Sequence, residues 1–133
     1  MAASKNVGQA TRGVTFDTGM LVALERRKAD ALALLRACKL SRAKITIPAN
    51  VVAEWWRGEH RAILECGTID SLSPTIAQRA GELLARTGGS NAVHATVVAS
   101  AATRGDLVIT GDFDDLRELA RHVDGVRVER LKT

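Results

Sequence analysis

The sequence contains no tyrosine, and its aromatic residues, two tryptophans and two phenylalanines, make up 3% of the chain. Aromatic stacking on nucleobases therefore has few side chains to use, so any choice of nucleic acid is expected to depend on substrate shape. The chain also lacks an apolar run near the roughly 20 residues that a membrane helix requires. We expect a protein that does not span a membrane.

Cysteine is scarce as well, with only Cys38 and Cys66. These two match no metal-ligand spacing and stand in helical contexts, where a buried thiol is the usual explanation. The polar first residues contain no apolar segment, so a secretory signal is not expected. These features favour a reducing, cytoplasmic location.

The sequence has 133 residues, of which 46% are hydrophobic and 26% are charged. This length and composition fit one soluble domain that is large enough to bury a core. We expect residues 1–12 to form a flexible leader and residues 13–133 to form this single domain. A net charge of +4 and a pI near 9.6 favour an anionic partner such as nucleic acid.

The charges are distributed unevenly. Basic residues gather at 26–28, at 36–44, and at Arg57 and Arg61, whereas acidic residues gather at 112–115. An acidic pit with a basic surround is what metal-assisted cleavage of a polyanion requires. The alternative, that the basic residues only solvate helix faces, stays open for each of them.

Short apolar runs alternate with segments of helical periodicity along the chain. Strands are predicted at 14–17, 45–47, 68–72, 106–110 and 126–131, the last as an edge strand. Helices are predicted from the cap Thr18 through Leu24 and at 29–40, 49–57, 59–66, 75–86, 91–104 and 114–122. Strands separated by helices predict an α/β protein whose parallel sheet is covered on both faces.

Two of the predicted strands end on carboxylates. Asp17 closes the first strand, and Asp112 follows the apolar run 107–110. The carboxyl edge of an open parallel sheet is where active sites usually lie, so both residues are predicted to bind a metal ion. Each could instead cap the helix that follows it.

A third carboxylate, Glu54, lies within the apolar segment Val51–Trp56. An unpaired carboxylate in such surroundings would be costly, so Glu54 is predicted to face a cation. The alternative is a salt bridge to Arg57, three residues further on. Adjacent helical residues point about 100° apart, so one of Trp55 and Trp56 is expected in the core and the other at an interface.

Four stretches, at 16–19, 47–58, 95–99 and 108–116, carry a resemblance to a known family. From about Val14 to Leu131 the chain resembles the PIN-domain toxins of the VapC family, especially the short form found in mycobacteria. The resemblance implies a three-layer α/β/α sandwich with a mainly parallel sheet and a role in a type II toxin–antitoxin system. It also implies Mg²⁺- or Mn²⁺-dependent endonucleolytic cleavage of RNA, homodimerisation, and inhibition by a VapB-type antitoxin.

The chain departs from this family at two positions. The family helix before the last core strand usually begins with an acid, often with a second acid three residues earlier, but here these positions are His94 and Asn91. Residues three apart share a helix face, so both should point toward Asp17 and Asp112. Asn91 could also cap the helix. For His94 three interpretations stay open: a metal ligand or base, a structural histidine, or a change that inactivates the site.

The exchange alters the metal chemistry that we expect. Clustered carboxylates repel one another by roughly 4 kcal/mol per pair at an effective dielectric constant of about 20, so they must recruit cations or protons. Two missing acids weaken Mg²⁺ binding and favour one ion over two. An imidazole ligand suits Mn²⁺ better than Mg²⁺, which prefers oxygen.

The predicted catalytic residues are those expected to hold the ion: Asp17, Glu54, His94 and Asp112. Asn91 is added as a further metal ligand. The ion would neutralise charge on the phosphate and activate a water for in-line attack. Secondary roles are predicted for Asp114 and Asp115, which could simply stabilise a helix start, and for Thr110, which could orient a ligand or be an ordinary strand residue.

Phosphate contacts are expected from basic residues around the acidic pit: Arg26, Arg27, Arg57 and Arg61. An exposed apolar surface for a dimer or antitoxin contact is expected from three residues of the first helix: Met20, Leu21 and Leu24. The alternative function is a catalytically impaired PIN domain that binds RNA or antitoxin, because Asn91 and His94 replace acids.

Overall fold

The structure, a computed structural model, describes residues 13–132, so the predicted leader at 1–12 lies outside the described residues. This part of the chain has five strands: β1 Gly13–Phe16, β2 Lys44–Pro48, β3 Thr68–Asp70, β4 Leu107–Thr110 and β5 Arg127–Arg130. It also has seven helices: α1 Thr18–Glu25, α2 Ala29–Leu40, α3 Ala49–Trp55, α4 Arg61–Leu64, α5 Pro74–Thr87, α6 Ala92–Arg104 and α7 Phe113–Ala120.

The five strands form one parallel sheet in the order β3-β2-β1-β4-β5. The central strand is β1, in which Thr15 is in register with Thr46 of β2 on one side and with Val108 of β4 on the other. β5 is an edge strand, as predicted, and its Arg130 is paired with Thr110 of β4. The predicted α/β fold with a mainly parallel sheet is confirmed.

The direction of the chain across the sheet places helices on both faces. From β1 the chain moves outward to β2 and β3, then crosses back to β4 and continues to β5. Crossovers between parallel strands are right-handed, so these opposite directions put α1 to α4 on one face and α5 to α7 on the other. Accordingly, α5, α6 and α7 pack on one another, and α1 contacts α2, α3 and α4. The result is a three-layer α/β/α sandwich.

Capping residues explain the bounds of the two longest helices of the second face. The side chain of Ser73 caps α5, and Gly88 ends that helix in the left-handed region at φ 72°. The side chain of Asn91 caps α6, which ends at Gly105 with φ 71°. Because these signals are visible in the sequence, the predicted bounds of both helices are close to those observed.

The predicted helix at 59–66 is much shorter in the structure. It is a single turn, Arg61–Leu64, and His60 before it has a left-handed backbone with φ 66°. A residue in that conformation cannot belong to a right-handed helix, so the chain starts again at Arg61. The helix predicted at 49–57 likewise ends early, at Trp55.

The exposed apolar surface predicted on the first helix is wrong. Met20 and Leu21 are fully buried and Leu24 is 5% exposed, because α1 packs this face against β1 and β4. Burial of side chains of this size contributes roughly 1.5–3 kcal/mol each. These residues belong to the core.

One of the two tryptophans lies in the core, as expected, and the interface expected for the other stays a prediction. Trp55 is 7% exposed, and its indole N–H donates to Glu25 Oε1 at 2.9 Å. Trp56 is half-buried, and the guanidinium of Arg61 lies 5.7 Å from its ring centroid. Trp55 therefore ties the end of α3 to the end of α1.

The remaining sequence features agree with a compact interior. Cys38 and Cys66 are free thiols, and burial raises the pKa of Cys38 to about 12, which makes it unreactive. Among residues 13–132, none of the helices combines the length and apolar character needed to cross a membrane.

Candidate metal centre

The strands β1 and β4 are neighbours in the sheet, and the chain leaves them in opposite directions: from β1 toward β2 and from β4 toward β5. Connections that leave adjacent parallel strands in opposite directions open a crevice at their carboxyl ends, and α/β proteins bind ligands there. Asp17 follows β1 and Asp112 is the second residue after β4. The backbones meet closely at this point, since a Cβ added to Gly19 would lie 2.9 Å from the backbone N of Gly111. The fold brings both predicted carboxylates to one crevice.

Asp17 is 2% exposed and is held by two hydrogen bonds. Oδ1 accepts the backbone N–H of Met20 at 2.9 Å, so Asp17 and not the predicted Thr18 caps α1. Oδ2 accepts the hydroxyl of Thr110. Burial raises the pKa of Asp17 to about 6, although both hydrogen bonds and the nearby His94 oppose the shift. Asp17 therefore caps α1, and the same side chain remains a candidate for binding a metal ion.

The hydroxyl of Thr110 connects the two strand ends. Thr110 is fully buried, donates to Asp17 Oδ2, and accepts the backbone N–H of Asp112 at 2.7 Å. A β-favouring strand residue needs neither bond. The geometry therefore favours the orienting role that the sequence offered as one of two possibilities.

Three side chains form a compact group of possible metal ligands: His94, Asp112 and Asp115. One donor atom from each lies within 4.8 Å of the others. His94 Nε2 is 3.1 Å from Asp112 Oδ2, and His94 Nδ1 is 3.9 Å from Asp115 Oδ2. His94 does point at Asp112, as expected. Asp115, which we predicted only as a secondary acid, stands inside this group.

The donor chemistry of this group fits a divalent cation. His94 Nδ1 is buried and lacks a hydrogen-bond partner among residues 13–132, an arrangement that ordinarily costs free energy. The side chain of His94 is 12% exposed, whereas those of Asp112 and Asp115 are 62% and 71% exposed. The group is therefore open on its carboxylate side, where a cation could keep water or phosphate oxygens as ligands. One imidazole with carboxylates matches Mn²⁺ or a softer ion better than Mg²⁺.

Three predicted ligands lie outside this group: the buried Asp17 described above, Asn91 and Glu54. Asn91 Oδ1 accepts the backbone N–H of His94 at 3.0 Å, so its side chain serves the start of α6. Glu54 is exposed and accepts the hydroxyl of Thr18, so the apolar surroundings expected for it are wrong. Within the described part of the chain, Glu54 forms no ion pair with Arg57. Through Thr18, Glu54 stands at the rim of the crevice.

The four predicted phosphate-binding arginines are exposed but are spread over two other regions. Arg26 and Arg27 follow the end of α1, about 12 Å along the helix axis from its first residue. Arg57 donates to the carbonyl of Trp56 at 2.7 Å, and Arg61 covers the ring of Trp56. The sequence pattern did not indicate which basic residues would lie next to the carboxylates of the candidate site.

Two cavities flank the candidate ligands and share Asp115. One, of 350 Å³, is lined by the α5–α6 loop together with His94 and Asp115. The other, of 490 Å³, is lined by residues 111–115 and 130–132. The group therefore stands between two spaces, each open enough to receive part of a chain-like substrate.

No protein-family model matches the sequence, and no curated protein matches it. Solved structures do match. VapBC2 from Rickettsia felis bound to a DNA fragment from their promoter has a chain with 14% identity and a TM-score of 0.64, covering 90% of this chain and 98% of that chain. A toxin–antitoxin complex from Klebsiella pneumoniae has a chain with 20% identity and a TM-score of 0.64, covering 86% and 95%.

Identities this low establish similarity of fold. The two matches cover 86–90% of this chain and 95–98% of the matched chains, so the likeness extends over most of the fold. The chain has the fold of chains found in toxin–antitoxin complexes, one of them a VapBC complex, and at the level of fold the resemblance seen in the sequence is confirmed.

Proposed function

We propose that this chain is the toxin of a type II toxin–antitoxin pair and a divalent-metal-dependent endoribonuclease. The observation that carries the proposal is the group of His94, Asp112 and Asp115 beside the buried Asp17, at the switch point of a toxin-like fold. A cation held there would neutralise charge on the attacked phosphate and lower the pKa of a water bound to it.

The chain's own residues supply the positioning. Asp112 and Asp115 offer exposed carboxylates, and His94 offers an imidazole nitrogen at 3.1 Å from Asp112. Thr110 fixes the buried Asp17 and the backbone of Asp112 with one hydroxyl, so these two acids keep a constant separation. Preorganised ligands of this kind reduce the reorganisation that a reaction requires.

RNA is the substrate class that this proposal assigns. The net charge of +4 favours a polyanion, and the two cavities on either side of the group give a strand a path across it. The two matched structures are toxin–antitoxin complexes, which supports a VapB-type antitoxin as the partner of this chain. We extend the proposal to a homodimer that acts in the cytoplasm.

A second candidate is an impaired PIN domain that binds RNA or antitoxin without cleaving. It is favoured by the cap that Asn91 forms and by the exposed position of Glu54, which together leave few anionic ligands near the cation site. The carboxylate chemistry that remains would then bind a cation without supporting attack on the phosphate.

RNA cleavage under controlled metal conditions tests the proposal. The full chain, Asp112→Asn and His94→Asp are each incubated with labelled RNA of mixed sequence in Mn²⁺, in Mg²⁺ and in EDTA, while calorimetry follows Mn²⁺ binding. Asp124→Asn, in an exposed turn, is the charge-matched control. We expect cleavage in Mn²⁺ that Asp112→Asn lowers by at least about a hundredfold and Asp124→Asn leaves unchanged.

The outcomes separate the two candidates. If only His94→Asp cleaves RNA, while the unmodified chain binds Mn²⁺ and is inert, the impaired domain is correct. If neither protein cleaves and neither binds a divalent cation, the proposed nuclease is wrong. Cleavage that survives Asp112→Asn would place the activity elsewhere.

A further inference from the structure

The larger of the two cavities is lined by side chains of both charges. Asp112, Asp114 and Asp115 line it from the turn after β4 and the start of α7, and Arg130 and Lys132 line it from the end of β5. Between them lies Phe113, half-buried and one of only four aromatic residues in the chain. Two of the three candidate ligands, Asp112 and Asp115, therefore share one space of 490 Å³ with two basic side chains.

The guanidinium of Arg130 lies over the ring of Phe113, with its central carbon 4.4 Å from the ring centroid. A second guanidinium, from Arg117, lies 5.9 Å from the same centroid. Arg130 also reaches Asp114, at 3.8 Å. These contacts hold a planar cation in place at the cavity wall, and a guanidinium plane is a surface on which nucleobases stack.

The strand end that carries these basic residues is firmly anchored. The backbone N–H of Leu131 donates to the carbonyl of Thr110 at 2.9 Å, and that of Lys132 donates to Asp30 Oδ2 at 2.6 Å. The side chain of Leu131 is buried between them. Arg130 and Lys132 are therefore fixed relative to Asp112, because Thr110 contacts both segments.

The geometry points to a nucleotide subsite in this cavity, which takes the RNA nucleotide adjacent to the attacked phosphate. The base stacks on the guanidinium of Arg130, which is backed by Phe113, and the ammonium of Lys132 binds the neighbouring phosphate. This inference rests on the proposed function, since it assigns how the same site holds its substrate.

Charge and composition favour this occupant. A polyanion that approaches Asp112 and Asp115 meets repulsion, and the basic side chains of Arg130 and Lys132 in the same cavity offset it at short range. Stacking on a protein side chain contributes binding free energy for any base, without readout of its sequence. The chain has few aromatic rings on which a base could stack. An arginine that is already stacked on a phenylalanine supplies the missing surface.

Equilibrium RNA binding tests the subsite separately from cleavage. All proteins carry Asp112→Asn to block turnover, and a short fluorescein-labelled RNA of mixed sequence is titrated by anisotropy at several salt concentrations. We expect Arg130→Ala to weaken binding roughly tenfold. Arg130→Lys keeps the charge but not the plane, so it should weaken binding with little change in salt dependence. Lys132→Ala should lower the slope of log K against log salt by about 0.7.

The matched control is Arg127→Ala, which removes the same charge from the exposed opposite end of β5, outside the cavity. If Arg130→Ala and Arg127→Ala weaken binding equally, or if neither does, the subsite is wrong while the proposed function stands. If the Asp112→Asn protein binds no RNA and the unmodified chain in Mn²⁺ neither binds nor cleaves it, the proposed function falls together with the subsite. Thermal melting of each variant shows whether a loss of binding comes from a loss of folding.

Discussion

Asp17 is a carboxylate placed where its charge is unfavourable. Its side chain is almost completely buried, and the hydrogen bonds from Thr110 and Met20 only partly offset the loss of solvation, so its pKa rises from 3.8 to about 6. A cation nearby would restore the ionised form. The residue therefore lowers the stability of the metal-free protein and at the same time favours metal binding.

The sign of this effect gives the first prediction. The unfolded chain ionises Asp17 near pH 4 and the folded chain near pH 6, so the stabilising contribution of this carboxyl group is fully present below about pH 4 and is lost as the pH rises through about 6. The shift corresponds to about 3 kcal/mol. The stability of Asp17→Asn relative to the unmodified protein should therefore increase by about 2 kcal/mol between pH 4 and pH 7, because the carboxyl group titrates over this range and the amide does not.

Urea unfolding in EDTA at both pH values measures this difference. Asp124→Asn, which removes an exposed carboxylate, is the charge-matched control. An equal effect of Asp17→Asn at pH 4 and pH 7 would mean that Asp17 ionises normally in the folded protein.

Single residues also show what the sequence could and could not indicate. The positions of Asp17 and Asp112 at strand ends could be predicted, because apolar runs that are visible in the sequence end just before them. The exposure of Glu54 was missed because burial follows helix geometry: Val51 and Trp55, four apart, face the core, and Glu54 lies off that face. The bonds of Thr110 depend on side-chain direction across two strands, which no local pattern encodes.

At the scale of elements, the start of α1 and the turn after β4 are in backbone contact. Gly19 has room for no Cβ, since one would lie 2.9 Å from the backbone N and 3.0 Å from the Cα of Gly111. Backbone atoms cannot move aside as a flexible side chain can. The contact sets the distance between the segments that carry Asp17 and Asp112.

We therefore expect Gly19→Ala to lower the free energy of unfolding by about 1–3 kcal/mol and to weaken Mn²⁺ binding as well, because α1 must shift away from the turn. Gly81→Ala is the matched control, since Gly81 is helical, exposed and has no atom within 4 Å of an added Cβ. It should raise stability by about 0.4–1 kcal/mol. Chemical denaturation and calorimetry measure both, and a Gly19→Ala protein as stable as Gly81→Ala would show that the contact is not restrictive.

A second connection between elements lies at the opposite end of β4. Arg104, at the end of α6, donates from Nε to Asp106 Oδ2 at 2.9 Å and from Nη1 to Asp70 Oδ2 at 3.2 Å. Its Nη2 donates to Thr15 Oγ1 and to Ser100 Oγ, both at 3.0 Å. One guanidinium thereby joins α6 to β1, to β3 and to the residue before β4.

Removing this guanidinium leaves a buried charge without its partner. Asp106 is 2% exposed, so Arg104→Met should destabilise the protein by about 3–5 kcal/mol. Arg36→Met, at an exposed position of α2, should change stability by less than about 0.5 kcal/mol. Urea unfolding compares the two. Because Asp112 lies beyond the other end of β4, Mn²⁺ affinity of the folded Arg104→Met protein should be unchanged, and a loss of both together would contradict this separation.

The predictability of the elements follows their length and capping. Helices α5 and α6 carry explicit caps, and their periodicity extends over several turns, so their bounds could be read from the sequence. The one-turn helix Arg61–Leu64 could not, because it has no side-chain cap and the left-handed backbone of His60 before it follows from no periodicity in the sequence.

At the scale of the whole molecule, the candidate site exists only when the chain is folded. Asp17 and His94 are separated by most of the chain in sequence and are brought together by the crossover from β3 to β4. A cation that binds this arrangement binds the native state alone, so it must stabilise the fold by RT ln(1 + [M]/Kd).

At one hundred times Kd this linkage amounts to about 2.7 kcal/mol, which corresponds to a rise in Tm of roughly 10 °C for a domain of this size. We expect Mn²⁺ to give a larger rise than Mg²⁺ at equal concentration, because the imidazole of His94 is a poor ligand for Mg²⁺. His94→Asp should narrow that difference, because it gives an all-oxygen group that suits both ions. The rise should also shrink between pH 7 and pH 5, where protons compete for Asp17.

Differential scanning calorimetry of the unmodified chain, His94→Asp and the control Asp124→Asn in each metal follows all three effects. In the contrary outcome, Mn²⁺ and Mg²⁺ raise the Tm of the unmodified chain equally, and raise that of His94→Asp by the same amount. That result would mean that His94 is not a ligand and that the cations bind only to the exposed carboxylates of Asp112 and Asp115. A preference for Mn²⁺ that His94→Asp narrows would instead show that the imidazole of His94 is the ligand that favours Mn²⁺. The Tm of the whole domain in each metal would then depend on the ligand chemistry of this single side chain.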